Sequence, residues 1–300
     1  YPALTANPDS IQILVVEDNE VNQAVAIGML GKLGYRGIHK ANNGREALDK
    51  IEQTHYDLVF MDMQMPVMDG YQATAALRDR EQAFAVAVDV EEIPHTPVVA
   101  LTANALEGDR EQCLIAGADE YLSKPFTSVE LRKVLEKCLQ HTGTPGKPVA
   151  QADTTMETES AAGYPDQVMG DTTADRLTDP EASPIDHGTL DVIRDMEDED
   201  DPDMLADIIG LYLEKSAELL QSLQTAVASK DAESVRIAAH TLKSSSANVG
   251  AHVLAGLCRD LEELGRSGSL DNAATRLSRL CDEYQRVDLA LTDELRGNAA

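Results

Sequence analysis

Residues 57–62 read Asp-Leu-Val-Phe-Met-Asp. Four consecutive apolar residues, Leu58 to Met61, suit a strand buried on both faces, as in a parallel sheet. Asp62 ends the run. The next residues, Met63 to Gly70, cannot prolong it, because Pro66 lacks an N–H and Asp69-Gly70 signals a turn. A carboxylate is thereby set at the carboxyl end of a central strand, the edge of an open α/β sheet where ligands bind. An Asp that merely caps the following loop would look the same, so the other strands decide.

Ile11 to Val16 is a second apolar run, closed by Glu17-Asp18. Pro97 to Leu101 is closed by Thr102, and Asp119 to Leu122 leads into Ser123-Lys124-Pro125. Residues 36–40 suit a short edge strand. The apolar spacing predicts helices over 20–34, 45–54, 71–82, 105–116 and 128–140, the last capped by Ser128. Residues 83–95 read as a loop or helix extension, longer than a usual connection. Strands alternating with helices predict an α/β fold over residues 11–140, a doubly wound five-stranded parallel sheet. Residues 1–10 read as an N-terminal linker, and the start suggests a piece of a longer protein. Residues 141–184 are rich in Pro, Gly, Thr, Asp and Glu and read as an acidic flexible linker. From 185 to 300 no strand pattern appears. Helices near 187–196, 202–228, 231–249, 251–266 and 270–296 predict an all-α helical bundle.

Charge narrows the function. A net charge of −28 repels phosphate backbones, so nucleic acid is not an expected partner. Basic protein patches and hard cations still suit such a chain. Cys113, Cys138, Cys258 and Cys281 show no metal-binding or redox spacing and read as reduced thiols in a cytosolic setting. No apolar run approaches the ~20 residues that span a bilayer. A cytoplasmic location is expected, including the cytosolic part of a membrane-anchored sensor.

A parallel sheet brings all its strand ends to one edge. Glu17, Asp18, Asp62, Thr102 and Lys124 should therefore converge. Carboxylates ~4 Å apart repel by about 4 kcal/mol at an effective dielectric of roughly 20. A hard divalent cation relieves that repulsion, and Mg²⁺ favours oxygen ligands. Lys124 would hold one phosphoryl oxygen and Thr102 would donate to another. A carboxylate attacking a phosphoryl group gives an acyl phosphate.

Val15-Val16-Glu17-Asp18-Asn19, Asp62 through Gly70, Ala100-Leu101-Thr102-Ala103 and Lys124-Pro125-Phe126 resemble the receiver domain of two-component signalling, a flavodoxin-like fold. The resemblance covers about residues 11–140. It implies that Asp62 is the phosphoacceptor and that Glu17, Asp18 and the Gln64 backbone carbonyl help it hold Mg²⁺. It also implies that Thr102 and Lys124 bind the phosphoryl group, that Lys124-Pro125 is cis, and that Thr102 and Tyr121 act as a switch.

In the helix over 231–249, Val235, Ala238, Ala239, Leu242, Ser246 and Val249 share one face. His240 lies ~200° from Ala238 and Leu242, so it is expected to point to solvent. Lys243 and Ser244 follow at i+3 and i+4, on its own side. An imidazole beside an ammonium and a small hydroxyl suits a transient phosphoryl group, although a lone surface histidine fits the same spacing. The stretch Ala239 to Ala251, with Leu254 and Leu257 to Glu262, resembles a histidine phosphotransfer (HPt) domain over about 185–296. The resemblance implies that His240 Nε2 carries the phosphoryl group. It implies no kinase activity for this domain, and no ATP-binding catalytic domain is expected within these residues. Ser244 stands where the family often has Gly.

The expected function is phosphorelay. A kinase histidine outside this chain phosphorylates Asp62, Asp62 passes the group to His240, and His240 passes it to a downstream response regulator. The likeness is to the C-terminal part of a hybrid sensor histidine kinase, with a stand-alone relay protein as the alternative. An aspartyl-phosphate hydrolase would carry a second acid two residues after Asp62, and Gln64 stands there instead. A DNA-binding regulator would need a basic C-terminal part.

Overall fold

The computed structural model describes residues 8–88, 94–102, 107–139, 183–198 and 201–298. Most of the expected linkers 1–10 and 141–184 lies outside the described residues. The first part of the chain alternates β1 (Gln12–Val16), α1 (Glu20–Lys32), β2 (Gly37–Ala41), α2 (Gly44–Gln53), β3 (Leu58–Asp62), α3 (Gly70–Val88), β4 (Val98–Thr102), α4 (Glu107–Ile115), β5 (Glu120–Ser123) and α5 (Ser128–Leu139). The strands form one parallel sheet in the order β2-β1-β3-β4-β5. All of β3 and β4 is buried, as strands covered on both faces must be. The order reverses beside β1, so the β1 and β3 ends flank the crevice of a doubly wound sheet.

Local chemistry starts the helices where the chain turns back. Asn19 caps α1 by accepting from the Val21 and Asn22 amides, and Asn43 caps α2. The expected cap of α5 shifts by one residue. Thr127, not Ser128, forms a capping box with Glu130, because Ser128 already has helical pairing. The 83–95 segment resolves in part, since 83–88 continue α3 and 89–93 lie outside the described residues. Lys124-Pro125 is cis.

The second part is helical throughout its described residues. It runs α6 (His187–Arg194), α7 (Met204–Ser229), α8 (Ala232–Asn248), α9 (His252–Ser267) and α10 (Ala273–Asn298). The predicted inner face of α8 is the buried one, with Val235, Ala239, Leu242, Ser246 and Val249 essentially inaccessible. Helix α8 packs between α7 and α9, and α10 closes the bundle against both α7 and α9. Helix α1 of the sheet part packs against α7 and α8, so the two parts share one continuous apolar cluster.

At the amino-terminal edge of the sheet, away from the strand ends discussed above, a charged cluster ties α3 to the sheet. Arg78 on α3 binds Asp119, Glu81 and the Gly117 and Thr96 carbonyls. His95 Nε2 lies 2.6 Å from Asp119 Oδ1, and its Nδ1 is 3.6 Å from Glu81 Oε2. The hydrogen bond to Asp119 and the nearby Glu81 carboxylate push the His95 pKa up to about 9 from an ordinary 6.5, against burial and Arg78. A raised folded-state pKa stabilises fully below pH 6.5, and that contribution is lost as pH climbs through 9. Because His95 is 47% exposed, solvent screening holds the gain to about 1 kcal/mol or less. Wild-type protein should therefore lose up to about 1 kcal/mol of urea stability between about pH 6.5 and 9.5 relative to His95→Gln. Parallel pH profiles for the two proteins would contradict this.

Candidate functional site

The strand ends converge as the topology requires. One carboxylate oxygen each from Glu17, Asp18 and Asp62 lies within 4.8 Å of the others. Glu17 and Asp62 are buried, and Lys124 reaches both, with Nζ 2.5 Å from Glu17 Oε2 and 2.7 Å from Asp62 Oδ2. Burial would lower the Lys124 pKa, but the Asp62 and Glu17 charges outweigh it and hold the ammonium up. Burial pushes Glu17 up, only partly offset by Lys124 and reinforced by Asp62. Asp18 rises to about 6 through burial and the neighbouring Asp62. One ammonium does not neutralise three carboxylates.

The donor set suits a hard cation. It offers three carboxylates with excess negative charge, on a rigid strand end and the turn beside it. The Gln64 amide donates to Asp62 Oδ1 at 3.1 Å, which directs the Asp62 carboxylate across the edge. Gln64 Oε1 is buried without a hydrogen-bond partner, an unmatched acceptor on the same loop. Further along, Val67 has φ 71 and is 84% exposed, a strained conformation for a β-branched residue.

Thr102 ends β4 and is buried, and its carbonyl accepts from the Lys124 amide at 2.7 Å. That places Thr102 and Lys124 on adjacent strand ends. Tyr121 is half-buried with the Arg110 guanidinium 5.3 Å above its ring. Residues 103–106, between Thr102 and α4, lie outside the described residues.

His240 differs from expectation. It points away from the core of its own bundle, yet its side chain is only 11% exposed. Glu262 on α9 holds it, with Nδ1 2.9 Å from Glu262 Oε1, and the ring lines a cleft shared with Asp18 of the sheet part. Lys243 donates to Glu262 Oε2 at 2.6 Å, and Arg266 to Oε1 at 3.0 Å. Burial would raise Glu262, but the contacts with His240 and Lys243 win and hold it down at about 2. Glu262 reaches His240 because α9 lies close on α8. A Cβ on Gly265 would sit 2.7 Å from the Ala232 carbonyl and the Arg236 amide.

The two centres meet at the seam. Asn19 Nδ2 donates to the Thr241 carbonyl at 3.0 Å. Asn22 Nδ2 donates both to Glu17 Oε1 at 2.9 Å and to Ser244 Oγ at 3.1 Å, and Asn248 Nδ2 donates back to Asn22 Oδ1 at 2.9 Å. Lys215 pairs with Glu20. A cleft of about 320 Å³ runs along the seam, lined by Asp18, Gln64 and Asp69 on one side and Arg236, His240 and Thr241 on the other. Sequence reasoning missed Glu262, Asn19 and Asn22. Glu262 had a readable signal, an acid on the otherwise apolar face of Leu254, Leu257, Cys258 and Leu261. The bridging role of Asn22 had none, because its partners Ser244 and Asn248 lie more than 200 residues away in sequence.

A family profile described as "Response regulator receiver domain" matches residues 13–136, and one described as "Hpt domain" matches 207–290. Curated relatives include hybrid signal transduction histidine kinase G of Dictyostelium discoideum, 42% identical over 128 residues, which covers 42% of this chain and 4% of that protein. An osmosensing histidine protein kinase of Saccharomyces cerevisiae is 38% identical over 143 residues, 46% of this chain and 11% of that protein. This chain thus spans only a small part of those relatives. Among solved structures, the receiver domain of a Pseudomonas aeruginosa sensor histidine kinase, with a magnesium ion coordinated in its active-site cleft, is 43% identical at a TM-score of 0.37, covering 43% of this chain and 98% of that one. The co-crystal of a Saccharomyces cerevisiae histidine phosphotransfer protein with the receiver domain of its downstream response regulator matches at 31% identity and a TM-score of 0.42, covering 47% of this chain and 95% of that one. Residues 13–136 are thus a response-regulator receiver domain and residues 207–290 an Hpt domain, the two parts of a phosphorelay signalling chain.

Proposed function

We propose that Asp62 accepts a phosphoryl group from a kinase histidine and passes it within the same chain to His240, which hands it to the receiver of a downstream response regulator. The observation that carries this reading is the Asn19–Thr241 hydrogen bond. It joins the residue after Asp18 to the residue after His240, so the acidic cluster and the imidazole face one cleft. On this reading residues 11–140 and 185–300 are the two working units, tethered by 141–184, which keeps their effective concentration high. The kinase and the regulator lie outside this chain. A cytoplasmic location fits, and no described helix is long and apolar enough to cross a membrane.

The chemistry balances without a net proton. In the first step an Asp62 oxygen attacks phosphorus, the O–P bond forms as the donor P–N bond breaks, and the donor nitrogen keeps the pair. In the second step the His240 Nε2 lone pair attacks the acyl phosphate. The N–P bond forms, the O–P bond breaks, and the Asp62 carboxylate leaves with the pair. Lys124 pairs with the charge shed onto oxygen, and Thr102 donates to a phosphoryl oxygen. Glu17, Asp18, Asp62 and the Gln64 carbonyl would hold Mg²⁺, which when bound supplies positive charge against the phosphoryl oxygens. Thr102 and Tyr121 would report occupancy of Asp62 by shifting toward it. Glu262 keeps the imidazole proton on Nδ1, which leaves Nε2 its lone pair. Lys243 offsets the charge gained by His240, and Ser244 is small enough to admit the receiver. The same α8 face must serve the downstream regulator, so outward transfer follows release of the chain's own receiver.

Asp62→Asn should abolish labelling by acetyl phosphate or a phosphorylated kinase. His240→Gln should keep a base-labile label on Asp62 and lose the acid-labile, base-stable one. Normal labelling of either variant at the substituted centre would overturn the assignment. Glu262→Ala should slow Asp62-to-His240 transfer by about tenfold, or about 1.4 kcal/mol. Glu262→Gln, which keeps an acceptor oxygen, should recover most of that rate. Wild-type transfer by Glu262→Ala in single-turnover assays would remove Glu262 from the mechanism.

A further inference from the structure

Helix α1 lacks the polar outer face of a surface helix. Between Glu20 and Lys32 it carries no charge, reading Val-Asn-Gln-Ala-Val-Ala-Ile-Gly-Met-Leu-Gly, and nearly all of it is buried. One side covers the sheet. The other meets the Hpt bundle, first through the Asn19 and Asn22 hydrogen bonds and then, further along α1, at Gly28. A Cβ built on Gly28 would lie 2.8 Å from Met204 Sδ, 3.2 Å from Met204 Cε and 3.5 Å from Met196 Sδ. These three nearest atoms all belong to the bundle side. Gly28 leaves a notch, and the two thioethers fill it.

We propose that Gly28 is a specificity-determining residue of the relay step. The bundle admits a receiver whose first helix leaves a notch at this register for Met204 and Met196, and rejects one that fills it. This inference rests on the transfer from Asp62 to His240 proposed above. Specificity of this kind needs an element that repels the wrong partner, and a side chain against Met204 is such an element. The rejection is graded. Methionine is long and flexible, so a single added methyl is absorbed by a shift of its end. A leucine projects far enough to displace Met204 and lever α1 off α7. The Asn19 and Asn22 anchors lie nearer the start of α1, so a wedge at Gly28 tilts the receiver about them. A tilt of that kind misaligns Asp62 and His240, and a misplacement of about 1 Å costs roughly 100-fold in rate.

Gly28 touches neither phosphoryl centre. Alanine and leucine are both better helix formers than glycine, so the receiver itself is not weakened. Met204→Ala vacates about the volume that Gly28→Leu adds, which makes the pair a volume-conserving swap.

The test uses the full chain as wild type, Gly28→Ala, Gly28→Leu, and Gly28→Leu with Met204→Ala. Acetyl phosphate loads Asp62. Movement of label to His240 is timed by its stability in base, and amide exchange is followed in α1 and the first turn of α7. Gly28→Leu should load Asp62 normally, move label at least about tenfold more slowly and lose α1 protection. Gly28→Ala should behave as wild type, and the double variant should recover most of the rate and protection. Wild-type transfer by Gly28→Leu overturns the proposal, and so does a slow Gly28→Leu that Met204→Ala does not rescue. A wild-type chain that never labels His240 overturns the relay reading, and the specificity role with it. Exchange tells the two failures apart, because only a failed Gly28 contact leaves α1 protection unchanged in Gly28→Leu.

Discussion

The side-chain amide of Asn22 bridges the two halves of this molecule. Asn22 Nδ2 is shared between Glu17 of the acidic cluster and Ser244, one turn past His240, while its oxygen accepts from Asn248. A buried amide with both hydrogens and its oxygen engaged tolerates little displacement, because each lost partner leaves a desolvated polar group. The bond to Glu17 fixes Asn22 to the sheet edge, and the bonds to Ser244 and Asn248 fix α8 to Asn22. The orientation of His240 toward the carboxylates follows from that bridge.

The carboxylate cluster is a poor way to stabilise a fold. Burying Glu17, Asp62 and Lys124 costs solvation that one ammonium among three carboxylates only partly returns. An apolar edge would be steadier. The arrangement makes sense as negative charge that a bound cation would relieve; burial first and the neighbouring Asp62 carboxylate next hold Glu17 and Asp18 above their ordinary pKa. The Hpt side is arranged the opposite way. Glu262 is engaged by His240, Lys243 and Arg266 and is held low, so the imidazole rests in one orientation before any transfer. A crowded carboxylate cluster beside a settled nucleophile suits a group that moves from aspartate to histidine.

What the sequence disclosed follows the range of the forces involved. Apolar runs closed by Asp62, Thr102 and Lys124 predicted the strands and their shared edge, because buried parallel strands leave a local imprint. Periodicity placed each helix of the bundle within a few residues and assigned the buried face of α8. It also set His240 on the opposite face, but solvent exposure did not follow, since Glu262 holds the ring and the receiver forms the far wall of the cleft it lines. Period alone does not see a second domain. Glu262 left a faint trace as an acid among leucines. Asn22 and Gly28 left none of their own, since an asparagine near a helix start reads as capping and a glycine inside a helix reads as a mere weakness. The uncharged run of α1 was the available hint that both of its faces are covered.

Transfer across a preformed seam differs from transfer between chains in its molecularity. The deciding measurement is the single-turnover rate of label movement from Asp62 to His240 in the intact chain, taken across a hundredfold range of chain concentration. Transfer within one chain gives a single first-order rate throughout, with no acceleration at high concentration. A rate that rises in proportion to concentration would show that His240 takes its phosphoryl group from another molecule, and would contradict the cleft as the place of transfer.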